Sequence, residues 1–404
     1  MFTSGVGIGL NQDSFSAGVE AASKAREQLG PQTPIIAFVF CSPEYSQEFV
    51  LKGIQSVISD AVPLVGASTA GEITAAGPTK KDAVVVQLLA SDSIYCHIAY
   101  STAAATDPER AGSELGQALM ELAGNEPLKL ICMFADGLTV NPAAIIRGLE
   151  SATASSVPIV GGSAGDNGQF KQTFQYFNGQ ILSSAVVGVA FIGKLEFSIG
   201  VRHGWIPIGT PKIVTSSEGS VVHEIDHEPA LAFYERYIGP EEAQRLSEST
   251  LGEIALSYPL GVRDDATGEM LLRAPFFVND AGGITCGGEV PQGATVQLMI
   301  GSKEEAVVAA QQSAEQAYRS LGMKPVAALI FSCHVRNTLF SNKETASEEV
   351  LAVSNVIGTD VPIAGFYTYA EQAPLAGNTH NFKLCKTDTH NETLVTVLLA
   401  EAQP

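Results

Sequence analysis

The sequence predicts an α/β protein with mixed sheets, built from repeated β-α-β-loop units in two related halves. Three observations predict it. Short apolar runs of strand type alternate with stretches whose apolar residues recur at helical spacing. One strand-helix-strand pattern recurs at residues 34–72, 128–166 and 327–374. Each copy ends on Pro-x-x-Gly followed by a loop and an acidic residue.

The first copy opens on the apolar run around Phe40, and its helix carries Phe49, Val50, Ile54, Val57 and Ile58 on one face. The second opens around Phe134. Asn141-Pro142 is an N-cap and first-turn pair for a helix bearing Ile145, Ile146 and Leu149. In the third copy the helix around Val350, Val353 and Val356 stops at Gly358, which suits a C-cap. Aligned on Pro-x-x-Gly, Glu72 matches Glu371, and Asp166 falls there after a one-residue gap. Strand-like runs at 83–90 and 180–191 follow the first two copies. That order implies parallel strand pairs extended by antiparallel strands. A length of 404 residues allows two or three domains. We divide the chain into 1–225 and 226–404, at the cap and helix start near Pro229.

Hydrophobic content of 45% fits a well-packed globular chain. Lys+Arg 23 against Asp+Glu 43 gives a net charge of −20, a field that repels phosphate backbones and anionic lipid. Nucleic-acid and membrane-surface partners are therefore not expected. The opening MFTSGVGIGL has no basic residue before its apolar stretch, unlike a signal peptide. No apolar run reaches the ~20 residues of a membrane-spanning helix. The six cysteines are scattered without a C-x-x-C, so a reducing, cytoplasmic setting is expected.

Two motifs invite enzymatic readings. Gly161-Gly162-Ser163-Ala164-Gly165 spells the nucleophile elbow G-x-S-x-G, but an elbow must turn directly into a helix. Here Asp166-Asn167-Gly168 follows, which is turn chemistry, and the third copy has Tyr367 where the others have Ser68 and Ser163. A tight loop at a strand end is the preferred reading. His223-Glu-Ile-Asp-His227 spells the zinc motif H-E-x-x-H, which needs both histidines on one helical face. Pro229 follows two residues later and favours a helix that starts after them, so a strand-to-helix turn is expected and no metal.

Taken together, several stretches resemble the FIST family of sensory proteins. They include PLVGASTAGEI (63–73), PIVGGSAGDNG (158–168), 200–239, YPLGV (258–262), VPQGATVQLM (290–299), FSCHVR (331–336), GFYTYAEQAP (365–374) and HNETL (390–394). The ordered set covers nearly the whole chain. The resemblance implies a FIST N-terminal domain over 1–225 and a FIST C-terminal domain over 226–404. It also implies a stand-alone, non-enzymatic sensory protein of signal transduction. Such a protein would bind a small polar metabolite, with amino acids one such class, between its halves and signal through a separate output protein. No cofactor is expected. One departure is Ala370, where the family usually has Gly; alanine tolerates positive φ poorly, so the loop is expected to differ there.

Ligands of α/β sheets sit outside the carboxyl ends of strands, where loops 66–72, 161–166 and 365–371 would converge. Ser68, Thr69, Glu72, Ser163 and Asp166 are the candidates in the first two loops; Tyr367, Tyr369 and Glu371 are those in the third. Glu371 is placed to meet an amine and Arg336 to hold a carboxylate in bidentate fashion. His203 and Trp205 complete the set. Pairing of Arg336 with Glu371 is the competing structural reading. Two other functions stay open. Some relatives in this family bind haem and respond to nitric oxide, which would require His203 or His334 as axial ligand. The second is a serine hydrolase using Ser163 or Ser68.

Overall fold

The computed structural model describes residues 1–79, 82–154, 157–248, 257–265, 267–339, 343–375 and 386–402. It is a mixed α/β structure, and each copy of the repeat forms a parallel strand pair joined by a helix. These are Ile36–Cys41, Gln47–Ile58 and Leu64–Ser68; then Leu130–Ala135, Pro142–Ala152 and Ile159–Gly162; then Ala327–Cys333, Lys343–Ile357 and Ile363–Thr368. The second helix starts as its sequence requires. Asn141 accepts from the Ala143 and Ala144 amides, with Pro142 in the first turn.

The structural unit is larger than the sequence repeat. A strand and a helix precede each copy: Thr3–Gly9 with Ser14–Leu29, Ile94–Ser101 with Pro108–Ala123, and Leu195–Arg202 with Lys303–Leu321. An antiparallel strand follows each: Val84–Ala90, Val186–Gly193 and Leu394–Glu401. The relation between the halves thus extends to three units, each with its own sheet.

The three six-stranded sheets share one strand order, and each is completed by a hairpin from another unit. The hairpin beginning at Glu72 joins the sheet of the third unit. That beginning at Gln175 joins the first, and that beginning at Glu371 joins the second. The exchange is cyclic, so no unit closes its sheet alone. The inner faces meet in one core, where the equivalent residues Phe40, Phe134 and Phe331 lie with ring centroids 5.8 and 6.1 Å apart in succession. Helices cover the outer face of each sheet.

Pro-x-x-Gly recurs for a steric reason. A Cβ on Gly66, Gly161 or Gly365 would lie 1.8, 1.9 or 1.9 Å from the carbonyl oxygen of Val39, Met133 or Ile330 on the parallel neighbour. Only glycine allows that approach.

Between Leu195–Arg202 and Lys303–Leu321 the third unit carries an inserted eight-stranded antiparallel sheet, starting at strand Ile206–Glu218 and closing on Thr295–Ile300. It has a separate core that includes Val214, Phe233, Tyr234 and Leu298. The 225/226 division falls inside this insertion, between strand Val221–Ile225 and helix Ala230–Ile238. His223 lies on that strand. Asp226 and His227 form the turn at φ 51° and 64°, and Pro229 caps the helix, so HEIDH is the expected strand-to-helix turn.

Candidate functional site

The loops after the parallel pairs converge, and they do so by bonding to one another. The Gly165 amide donates to the Ser68 carbonyl (3.0 Å), Ala70 to Tyr367 (2.9 Å), Tyr367 to Gly71 (2.7 Å) and Ser163 to Ala370 (2.8 Å). Most of the candidate side chains serve this junction. Ser68 Oγ donates to the Gly165 carbonyl (2.8 Å) and accepts from the Phe174 amide (2.9 Å). Ser163 Oγ accepts from Gln372 Nε2 (3.1 Å). No helix follows Ser163, in keeping with a loop rather than an elbow. Asp166 caps the next turn, accepting from the amides of Phe170 (2.9 Å), Lys171 (2.6 Å) and Gln172 (3.1 Å) and from the Tyr369 hydroxyl.

The sequence alignment of acids needs correcting. Glu72 pairs with Phe366, Gln175 with Ala67 and Glu371 with Gly162, each opposite the residue after Pro-x-x-Gly. Gln175, not Asp166, is therefore the second unit's counterpart of Glu72 and Glu371. The 163–174 loop is longer than its relatives, and a short gap cannot reveal that. All three side chains are buried. Burial pushes the Glu72 carboxyl up to about 7, against hydrogen bonds from the Thr69 and Thr79 hydroxyls. Burial likewise pushes Glu371 well above the carboxylate range. One of its oxygens accepts from the Thr393 amide (3.1 Å).

The expectation that Arg336 and Glu371 hold the two ends of an amino acid is overturned. Arg336 is wholly buried, paired with Glu349, and its remaining donors reach the carbonyls of His203, Glu392 and Ala306. Nothing of it is left to face a ligand. Nor is Glu371 its partner. Tyr367 is equally buried, its hydroxyl beside Glu349. Trp205 is buried and His203 half-buried, and both are engaged within the protein. His203 Nδ1 accepts from the Trp205 amide (2.9 Å), and burial pushes its pKa down to about 4. The indole packs with Leu272 and Met299 and lies 5.7 Å from the Arg336 guanidinium. Ala370 is not at positive φ, so alanine fits its loop without strain.

Of the candidates, Tyr369 lines the most open space among the described cavities. It lies on two adjoining cavities of about 240 and 250 Å³, which also share Gly137 and Phe276. Ser163 lines the second. The first is walled by Leu138 and Phe170 of the second unit, by Ala274 and Phe276 of the inserted sheet, and by Cys333 and His334 of the third unit. It thus sits at the carboxyl ends of Leu130–Ala135 and Ala327–Cys333, where ligands of such sheets bind. A larger opening of about 550 Å³ lies between Arg147 and Leu271, but Arg147 there is paired with Glu289 and Arg273 with Asp388.

Of the first cavity's walls, the sequence had singled out Tyr369 and, for haem, His334. Nothing in sequence marked Phe170 or Phe276, which come from segments without a repeat. For the haem alternative, His203 Nδ1 already accepts from the Trp205 amide, which leaves His334, on the wall of the first cavity, as the candidate axial ligand. Among the described residues no group of three metal-ligating side chains is gathered, and no helix is long and apolar enough to cross a membrane.

Family comparison agrees with the motif order. The FIST N domain matches residues 35–228 and the FIST C domain matches 230–374. An uncharacterized protein of Mycobacterium tuberculosis is 26% identical over 93% of this chain and 95% of its own length. One of Mycobacterium bovis is 25% identical over 92% and 94%. Among solved structures, a chorismatase aligns with a TM-score of 0.38 at 10% identity, over 100% of this chain and 99% of that one. A cyanuric acid hydrolase aligns with a TM-score of 0.37 at 10% identity, over 100% of both. Likeness of that degree supports no inference about activity.

Proposed function

The chain belongs to the FIST family, whose domains are associated with sensing in signal transduction, and from that premise we propose a small-ligand sensor that binds in the cavity beside Tyr369. The observation that carries this reading is the origin of the walls: Gly137, Leu138 and Phe170 come from the FIST N segment, and Phe276, His334 and Tyr369 from FIST C. A ligand there touches both segments and favours whichever packing closes on it, by its differential affinity. Tyr369 links the cavity to the Asp166 turn, so occupancy has a route to the 166–174 loop. The reading needs no catalysis and no cofactor. The Ser68 hydroxyl proton is committed to a carbonyl, and Ser163 Oγ is held by Gln372. A cytoplasmic setting and a separate output partner belong to the same proposal.

The test is a thermal-shift screen of metabolites, amino acids included, on the full chain and on Ala274→Met, which fills the cavity. A ligand that binds only the folded state raises the midpoint with concentration. The expected result is a metabolite that shifts the parent and not the variant. Equal shifts in both place the ligand elsewhere; no shift by any metabolite removes the sensor reading.

A further inference from the structure

We propose that the free edge of strand Ile94–Ser101 pairs antiparallel with the same strand of a second copy of this chain. The second unit's sheet then continues across a two-fold dimer.

The three units offer three equivalent edges for comparison. Thr3–Gly9, Ile94–Ser101 and Leu195–Arg202 each end a six-stranded sheet. Ile8, Tyr100 and Val201 stand opposite Val85, Val187 and Val395, which pair in turn with the equivalent Phe40, Phe134 and Phe331. In the first unit the covering helix caps the outer main chain. Lys24 Nζ donates to the Ile8 carbonyl (3.0 Å), and Gln28 Oε1 accepts from the Val6 amide (2.7 Å). In the third, Gln316 Oε1 accepts from the Val201 amide (3.3 Å). Gly18 and Gly112 are equivalent, each set against the neighbouring helix at the Val50 or Ile145 carbonyl. Counted from them, Ala118 and Leu122 occupy the places of Lys24 and Gln28, and neither can cap an edge. Among the described residues, the outer main chain of Cys96, Ile98 and Tyr100 has no hydrogen-bond partner.

Helix packing explains the difference. A Cβ on Gly5, Gly7 or Gly9 would lie 2.2, 2.0 or 2.0 Å from the carbonyls of Ala25, Ala21 and Ala17, and one on Gly200 1.9 Å from that of Ser313. Those two helices therefore lie close over their edge strands. The second unit has His97, Ala99 and Ser101 on the strand, and the buried Leu115 and Leu119 where the first helix has Ala21 and Ala25. These larger side chains keep its helix farther out.

Soluble proteins blunt an open edge with charge, proline or a bulge. Residues 94–101 contain no Lys, Arg, Asp, Glu or Pro, and they pair regularly with Val186–Gly193 throughout. Tyr95 is 54% exposed and Leu122 51%. The same composition selects the partner. A net charge of −20 repels a second copy wherever carboxylates face it, and it would draw a basic partner to them instead. Along this edge neither force acts. Asp92, before the strand, is paired with the N-terminal ammonium, and Glu114, beside its end, with Arg110. Antiparallel pairing of one strand with its copy is self-complementary under a two-fold axis. It gives the outer groups of Cys96, Ile98 and Tyr100 partners on the copy and covers Tyr95 and Leu122.

Sedimentation velocity of the full chain over a range of concentrations tests this. The variants are the double substitution Ala118→Lys with Leu122→Gln, which copies the first unit's caps, and Tyr95→Glu, which sets like charges against each other across the axis. Circular dichroism checks that each folds. The parent should sediment as a dimer, and either variant should raise its dissociation constant at least about tenfold. Hydrogen exchange of the parent needs no variant: exchange within 94–101 should slow as concentration rises, while that within Thr3–Gly9 stays unchanged. A parent that is monomeric at every concentration overturns the proposal and leaves the edge to a strand of another chain. A dimer that survives both variants, or that forms without slower exchange in 94–101, overturns it as well, since its interface lies elsewhere. None of these results bears on the sensor reading, which the thermal-shift screen tests separately.

Discussion

Arg336 and Glu349 form an ion pair that water does not reach, with Nε donating to Oε1 over 2.7 Å and both side chains wholly buried. The other guanidinium donors span the third unit: Nη1 to the carbonyls of His203 (2.6 Å) and Glu392 (3.1 Å), Nη2 to that of Ala306 (2.7 Å). One side chain thereby fastens the short helix His334–Leu339 to the ends of Leu195–Arg202 and Leu394–Glu401 and to the start of Lys303–Leu321. The same helix begins with His334, so the pair also helps to set that wall of the cavity beside Tyr369.

Replacing Arg336 with Ala should therefore act on stability. It leaves the buried Glu349 carboxylate and three carbonyls without their donor, and breaking one side of a buried pair costs ~3–5 kcal/mol. Urea unfolding of the two proteins measures it. A loss below about 1 kcal/mol would show that the pair is not the fastening described.

How far the sequence speaks for this arrangement varies by residue. The parallel pairs are legible because an apolar run, around Phe40 or Phe134, and a closing Pro-x-x-Gly recur in the same order. The flanking helices are not. Ser14–Leu29 and Lys303–Leu321 bury chiefly small residues, among them Ala21, Ala25, Ala310 and Ala314, which give weak apolar periodicity. The cyclic exchange of hairpins left no local trace either, since nothing within 72–78 states which sheet it joins. For the site, sequence found the converging loops and Tyr369 but misread Arg336. A guanidinium at a strand end looks alike whether it faces a ligand or Glu349, and only the fold decides.

Glu72 gives a pH dependence with a definite sign. Burial raises its carboxyl from 4.5 to about 7 in the folded state, so folding holds the proton more tightly than the unfolded chain does. Its contribution is fully present below pH 4.5 and is lost as the pH rises to about 7. The full shift corresponds to roughly 3 kcal/mol. Glu72→Gln cannot ionise, and its amide can still meet the two threonine hydroxyls. Unfolding free energies at pH 4.5 and pH 8 should therefore show the parent losing about that much relative to the variant. Parallel pH profiles would refute the shift.

Ser68 and Ser163 separate the junction from a hydrolase. Ser68 Oγ bridges the first two units, accepting from the half-buried Phe174 amide and donating to the buried Gly165 carbonyl. Its loss in Ser68→Ala leaves two main-chain groups unpaired and should cost ~1–3 kcal/mol. Ser163 Oγ accepts only from Gln372 Nε2, which also reaches the Ala370 carbonyl at 2.9 Å and so keeps a partner after Ser163→Ala. That variant should lose ~0.5–1.5 kcal/mol, the net worth of one ordinary hydrogen bond. Denaturation of both variants gives the order, and turnover of a generic ester by the parent gives the chemistry. Ester hydrolysis that disappears in Ser163→Ala would make the loop a catalytic one and set the sensor reading aside. The reverse order of stabilities would show that the Ser68 bridge does not hold the two units together.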